Sequence, residues 1–84
     1  MTKIKIIGLV PGDISDWVKE SFIGVVIEAR EHAGSFAFPY ADLIKILGDK
    51  KPEAAQYLVK NMGIAKTTDG IFDIKKEICE IISE

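Results

Sequence analysis

Isoleucine is the dominant apolar residue of this chain, with 14 Ile against 4 Leu and 5 Val. A β-branched side chain is stiff about its first torsion angle, so it is poorly suited to a helix and well suited to a pleated sheet. The isoleucine bias therefore favours a fold that contains strands over an all-helical bundle.

The apolar residues must build a core without covalent or metal support. The 84 residues contain one cysteine and one histidine, so neither an internal disulfide nor a zinc cluster is available. At 48% hydrophobic residues, the chain is too apolar for a disordered protein. It is also too short for two separate cores. We therefore expect a single domain over residues 1–84, whose core forms alone or is completed by a partner subunit.

Charge and hydropathy narrow the class of protein further. The formal net charge of −2 disfavours a wholly basic nucleic-acid-binding protein. No apolar run approaches the roughly 18 residues of a membrane span, and the first residues do not resemble a signal peptide. The single unpaired thiol fits a reducing compartment. These features predict a soluble cytoplasmic domain that has no membrane segment.

The first apolar segment is predicted to be a strand. Lys3 to Val10 alternates charged and apolar residues and then becomes wholly apolar, as in a strand half-exposed at its start and buried later. The Pro11-Gly12 pair that follows is typical of a turn, because proline fixes φ and glycine accepts a positive φ.

Residues 13–33 admit two interpretations, and the fold depends on the choice. One is a single long helix with a continuous apolar stripe. The other is a short helix around Trp17, capped by Asp13 or Ser15, and then a strand from Phe22 to Arg30.

Gly24 favours the second interpretation. A glycine followed by three β-branched residues destabilises a helix interior by about 1–2 kcal/mol. Ser35–Phe38 then alternates small and aromatic residues, which is typical of a second strand that Pro39 ends. We therefore expect the two strands to form a hairpin.

Two helices are predicted next. Tyr40 to Leu47 has the spacing of an amphipathic helix that stops at Gly48. Lys51 to Met62 has proline and an acid in its first turn and glycine after its last residue. The predicted buried face of this main helix consists of Ala54, Ala55, Leu58 and Met62.

The remaining residues are predicted only in part. The Asp69-Gly70 pair indicates a hairpin turn between residues 64–66 and 71–74. The tail from Lys75 to Glu84 fits a helix and a strand equally well, so the sequence leaves this segment open. Together the elements predict an α+β fold, with a small, mainly antiparallel sheet of about four or five short strands and one main helix packed on it.

An alternative fold follows from the order of the elements over residues 40–74. A helix, a tight turn, a second helix and a short hairpin resemble the winged helix-turn-helix module, in which the second helix enters the DNA major groove. The resemblance implies five DNA-contacting residues: Lys50, Lys51, Gln56, Lys60 and Lys66. From Tyr40 to Thr68 five lysines face three acids, which is a local charge of +2.

No constellation of residues predicts catalysis. His32, Ser35 and Asp42 are the residue types of a base, a nucleophile and an orienting acid, but their spacing supports no triad. Apolar neighbours favour an inert, buried thiol at Cys79. The seven glycines form no phosphate-binding loop, and no metal ligands are clustered. We therefore expect no enzyme activity, no cofactor and no metal site.

The function predicted from the sequence is binding to a protein partner, without catalysis. An edge strand would serve this role and would also permit self-association. Trp17 is expected to anchor the core together with Phe22 rather than to contact a partner. The alternative is a DNA-binding regulator of the winged-helix class.

Overall fold

A computed structural model of the chain describes residues 1–10, 14–62 and 70–83, with the backbone alone for 61 and 62. These ranges hold five strands and three helices, and a 3-10 turn lies at Lys76–Ile78. In chain order the elements are β1 (Thr2–Ile6), α1 (Asp16–Ser21), β2 (Val26–His32), β3 (Ser35–Pro39), α2 (Tyr40–Lys50), α3 (Pro52–Met62), β4 (Ile71–Lys75) and β5 (Cys79–Ser83).

The strands form one antiparallel sheet in the order β4-β3-β2-β1-β5. β1 lies between β2 and β5, so Ile4 stands opposite Ile27 on one side and Ile81 on the other. β3 lies between β2 and β4, with Phe36 opposite Ile74. The predicted α+β class with a mainly antiparallel sheet is confirmed.

Residues 22–30 form a turn and then a strand, as we expected from Gly24. α1 ends at Ser21, and Gly24 adopts a φ of +93°, which glycine accepts without strain. The Gly24 N–H donates to the carbonyl of Ile6 at 2.7 Å, which aligns the following residues with β1. β2 then begins at Val26 rather than at Phe22.

This strand also decides between the two predicted folds. The winged-helix module needs a leading helix before its two DNA-binding helices, and the structure has β2 and β3 in that place. The winged-helix alternative is therefore wrong for this fold.

The core lies between one face of the sheet and the helices. Alternate residues of β1, β2, β3 and β4 are buried, and the helices contribute the side chains that their spacing turns inward. The radius of gyration is 11.8 Å, close to the roughly 12 Å expected for a compact domain of this length. The fully buried large side chains are Phe22, Phe36, Phe38, Ile4, Ile6, Leu43, Leu47, Leu58, Ile74, Val10 and Val18.

The main helix buries the face predicted for it. Ala54, Ala55 and Leu58 are buried in α3, while the side chain of Met62 lies outside the described residues. α3 also packs against α2.

α2 runs past the predicted stop at Gly48 and ends at Lys50. The helix ends because Lys51 precedes a proline, and proline disfavours the helical conformation in the residue before it. Lys51 accordingly has a φ of −140°, and its N–H donates to Leu47 in the last turn of α2 at 2.6 Å.

The first strand is shorter than predicted. β1 ends at Ile6, beside the turn at Gly24 that precedes β2, and Ile7 and Leu9 beyond it are about half-exposed. Only Val10 returns to the core.

The tail is a strand after a short 3-10 turn, which settles the alternative that the sequence left open. Residues 64–66, the first arm of the predicted hairpin, lie outside the described residues. The second arm, Ile71–Ile74, falls within β4 and pairs with β3. None of the helices in the described ranges is long and apolar enough to span a bilayer.

Candidate interaction edge of the sheet

β5 is an end strand among the strands that the structure describes. It pairs with β1 on one side, and its other side faces no described strand. A strand in this position presents backbone donors and acceptors to any chain that can pair with it. The five residues Cys79–Ser83 are called the β5 edge below.

Two isoleucines of the β5 edge are half-exposed, although their neighbours on β1 are buried. The register places Ile81 opposite Ile4 and Cys79 opposite Ile6, and opposing residues of an antiparallel pair share a face. Ile4 and Ile6 are fully buried, whereas Ile81 exposes 50% and Ile82 46% of its surface. The helical layer therefore covers β1 and leaves the neighbouring β5 edge open.

The backbone of Ile81 is directed to the open side. The N–H of Ile6 donates to the carbonyl of Val25 at 2.9 Å, so the backbone of Ile6 faces β2. Backbone groups alternate in direction along an antiparallel strand, so Lys5 faces β5 and its partner Glu80. One residue further along β5, the N–H and C=O of Ile81 point away from β1.

The pairing of β5 with β1 slips next to this residue. Ile4 stands opposite Ile81, but Lys3 stands opposite Ser83, so Ile82 is an extra residue that has no partner on β1. Such a bulge leaves the extra residue out of the ladder. The second half of the β5 edge therefore has fewer backbone bonds to β1 than a regular strand.

The β5 edge carries a single charged side chain, Glu80, among its described residues. Glu80 stands directly opposite Lys5, and an acid and a base in this position attract each other across the strands. The one charge thus lies opposite a base of its own subunit and presents little repulsion to an approaching strand.

Cys79 is a poor nucleophile in this setting. Partial burial, assisted by the nearby Glu77 carboxylate, raises the pKa of the thiol to about 11. Its Sγ donates to the carbonyl of Lys75 at 3.4 Å. The thiol is half-buried rather than fully buried, and at neutral pH it stays protonated, as an inert cysteine does.

β4, at the other end of the described sheet, differs from the β5 edge. Phe72 and Ile74 are buried and hold β4 on the core, while Ile71 is 54% exposed. Asp73 and Lys75 are exposed on the opposite face. Charged side chains on an edge strand disfavour pairing with another chain, so β4 is the less favourable edge for a partner.

Trp17 does not anchor the core, so that prediction is wrong, whereas its companion Phe22 is fully buried. In the short α1 the adjacent Val18 takes the inward direction and Trp17 is turned outward, leaving it 47% exposed. The Trp17 ring meets Tyr57 edge-on, with ring centroids 5.3 Å apart. The Tyr57 hydroxyl lies 3.2 Å from the Oγ of Ser15, which ties α1 to α3.

A groove of about 470 Å³ lies beside Trp17, between α1 and the junction of α2 and α3. The Lys51 ammonium donates to the carbonyl of Ser21 at 3.1 Å and so closes one side. The charged residues that line the groove are Lys50, Lys51, Glu20 and Glu53. Two bases and two acids leave no net charge there, so the groove selects neither anions nor cations by its total charge.

No protein-family model, no curated protein and no solved structure matches this chain. Function must therefore be inferred from the geometry of the molecule. The β5 edge combines two half-exposed isoleucines with backbone groups available for pairing.

The residues that the winged-helix resemblance implied for DNA contact lie at two places. Lys50 and Lys51 line the groove beside Trp17. Gln56 and Lys60 are one helical turn apart on the exposed side of α3. Lys66 lies outside the described residues.

His32 and Ser35 lie opposite each other because they flank the Ala33-Gly34 turn. Asp42 is in the first turn of α2 and lines a different groove with Lys3 and Lys45. His32 and Ser35 are neighbours because they close the β2–β3 hairpin.

Sequence reasoning missed Ile81 and Ile82 as functional candidates. As a helix, the tail would place Ile78, Ile81 and Ile82 on one apolar stripe, which reads as core. As a strand at the sheet edge, the same residues are half-exposed. The available signal was the β-branched pair between Glu80 and Ser83. This pair indicates an interaction site only when β5 is known to be an end strand.

Proposed function

We propose that this chain is a non-catalytic protein-interaction module whose β5 edge accepts an extended segment of a partner. The observation that carries the proposal is the pair of half-exposed isoleucines on an end strand. Covering apolar surface and pairing backbone groups at the same site is how strand addition gains free energy.

Two contributions would determine which segments bind. Hydrogen bonds to the backbone of Ile81 support any extended chain, whatever its sequence. Ile81 and Ile82 favour β-branched or aromatic residues opposite them, because such side chains pack well across a strand pair. An acidic residue beside Glu80 is disfavoured by like-charge repulsion.

The expected affinity is modest. Covering the exposed halves of two isoleucines contributes about 2 kcal/mol, and each backbone hydrogen bond adds about 1 kcal/mol net. Association also costs several kcal/mol in lost freedom of motion. We therefore expect a reversible complex in the micromolar range or weaker.

Selection from a random-peptide library, followed by backbone amide NMR on the protein with each selected peptide, tests the proposal. We expect the selected peptides to be rich in Val, Ile, Thr and aromatic residues. Their binding should shift the amide resonances of Cys79–Ser83 and of β1. Ile81→Lys should weaken binding by about ten-fold or more, because it removes the central apolar contact of the β5 edge.

Ile71→Lys is the matched control, since Ile71 has a similar exposure but lies on β4, at the other end of the described sheet. It should leave peptide binding unchanged. Peptides that shift the amide resonances of the groove beside Trp17, and not those of β5, would overturn the assignment to the β5 edge. A library that yields no binder would overturn it as well.

A further inference from the structure

We infer that the segment accepted by the β5 edge is the β5 edge of a second copy of this chain, paired antiparallel about a two-fold axis at Ile81. The inference rests on the proposed function and adds the identity of the partner. It joins the two sheets into one continuous sheet across the dimer.

The backbone direction fits a two-fold axis at this residue. In an antiparallel pair, some opposing residues exchange both of their N–H···O=C bonds, and their backbones face each other. The Ile81 N–H and C=O point away from β1, as the directions of Ile6 and Lys5 require. Ile81 of one subunit can therefore exchange both bonds with Ile81 of the other.

The sequence of β5 is compatible with pairing to itself. With Ile81 at the centre, Glu80 of one subunit stands opposite Ile82 of the other, and the bulge at Ile82 ends the regular register there. No two like charges oppose each other in this register. Each Glu80 also keeps Lys5 of its own subunit directly opposite on β1.

The exposed apolar side chains gain most from this arrangement. Ile81 is half-exposed although it follows the row of buried isoleucines Ile27 and Ile4 across the sheet. A second Ile81 would extend this row across the dimer axis. In a single subunit this apolar row ends at Ile81. In the dimer it continues into the second subunit.

Pairing of β5 with β4 of another copy is the less favourable arrangement. Such a contact joins two different surfaces and leaves both outer edges open, so it propagates into filaments instead of closing. Asp73 and Lys75 are also exposed along β4. A pair of β5 edges uses the same surface twice and closes as a dimer.

The contact is small, which sets the expected strength. A pair of five-residue strands buries less than the roughly 800 Å² per partner of a standard stable interface. We therefore expect a dimer that dissociates on dilution, in the micromolar range or above.

Sedimentation equilibrium from about 5 µM to about 1 mM protein, a range that brackets such a dissociation constant, gives the first test. The mass should rise with concentration from the 9.3 kDa of the monomer towards twice that value. Ile81→Lys should lower the association constant about ten-fold or more, because two ammonium groups would meet at the axis. Ile71→Lys, with a similarly exposed isoleucine on β4, should associate like the parent protein.

A cysteine cross-link tests the register separately. Ile81 stands opposite its own copy at the axis, and the Cα atoms of a residue pair that exchanges both backbone bonds are about 5.5 Å apart, which is within reach of a disulfide. With the native thiol removed, Cys79→Ser/Ile81→Cys should therefore yield a disulfide-linked dimer on mild oxidation. Cys79→Ser/Ile71→Cys, with the new thiol on β4, should yield far less, and circular dichroism should show that both variants keep the parent fold.

Three results would overturn the inference. They are a monomer at every concentration, an equal loss of association in Ile71→Lys, and equal cross-linking in the two cysteine variants. A monomer whose β5 edge still binds the selected peptides would remove self-pairing and leave the proposed function standing. A monomer that binds no peptide at the β5 edge would remove both.

Discussion

At the scale of single residues, the hairpin between β2 and β3 shows a backbone demand that the sequence meets only in part. Ala33 has a φ of +46° and Gly34 a φ of +84°, the conformations of a two-residue type I′ turn between His32 and Ser35. Glycine accepts this conformation, but a left-handed alanine is strained by its Cβ.

Ala33→Asn should stabilise the protein by about 0.5–1 kcal/mol, because Asn-Gly is the preferred pair for a type I′ turn. Urea unfolding followed by circular dichroism measures this gain as a higher midpoint with an unchanged slope. Ala41→Asn, an exposed alanine in α2, is the control and should bring no gain.

Gly34→Ala, in the same turn, should destabilise the protein. A Cβ at Gly34 meets no atom within 4 Å, so the whole cost is backbone strain, about 1–2 kcal/mol. A variant as stable as the parent protein would show that the turn is not left-handed at this position.

The Cys79 thiol is expected to react slowly. Its pKa of about 11 lies above the ordinary value of 9.0 because of partial burial and the Glu77 charge. Iodoacetamide at mildly alkaline pH should alkylate the folded protein about ten-fold or more slowly than free cysteine. A rate equal to that of free cysteine would contradict the raised pKa.

The free energy of unfolding should also depend on pH because of the raised pKa of Cys79. The unfolded chain releases this proton at lower pH than the folded chain, so the free energy of unfolding falls as pH rises from 9.0 towards about 11. Comparing the parent protein with Cys79→Ser isolates this slope, which the serine variant should lack.

At the scale of elements, β4 is held on the core by one aromatic cluster. The Phe72 ring stacks on Phe38, with centroids 5.5 Å apart, and meets Phe22 and Tyr40 edge-on at 5.9 and 5.1 Å. The rings belong to β3, the end of α1 and the start of α2, so one side chain joins β4 to three elements. Burial and the Asp73 charge also raise the pKa of Tyr40.

Phe72→Ala should therefore cost about 3–5 kcal/mol, because it removes a buried ring and its three aromatic contacts. Ile71→Ala, the adjacent exposed position, should change stability by no more than about 0.5 kcal/mol. Urea unfolding of both variants checks the difference, and equal costs would show that the cluster does not hold β4.

At the scale of the whole molecule, the sheet depends on contacts between segments far apart in sequence. β1 pairs with β5, and β3 pairs with β4 across the two long helices. A chain without a disulfide must gain its stability from these non-local contacts and the core between them. The helices cover β1 fully but leave β5 open, so the incomplete part of the apolar layer lies at one edge of the sheet.

The sequence by itself determined the elements whose signals are local. The isoleucine bias predicted a sheet, Gly24 ended the first helix, and the buried face of α3 followed from the spacing of its alanines and Leu58. These predictions succeed because propensity, caps and periodicity act within a few residues.

Only the tertiary structure decided which segments fill the ends of the sheet and which side chains remain exposed. The sequence of the tail Lys75–Glu84 fits a helix and a strand alike, and its residues Cys79–Ser83 form β5 because β1 offers them an unpaired side. Trp17 is exposed because Val18 takes the inward direction of a short helix. Pairing and burial of this kind depend on neighbours distant in sequence, so the candidate site at Ile81 and Ile82 emerged only from the fold.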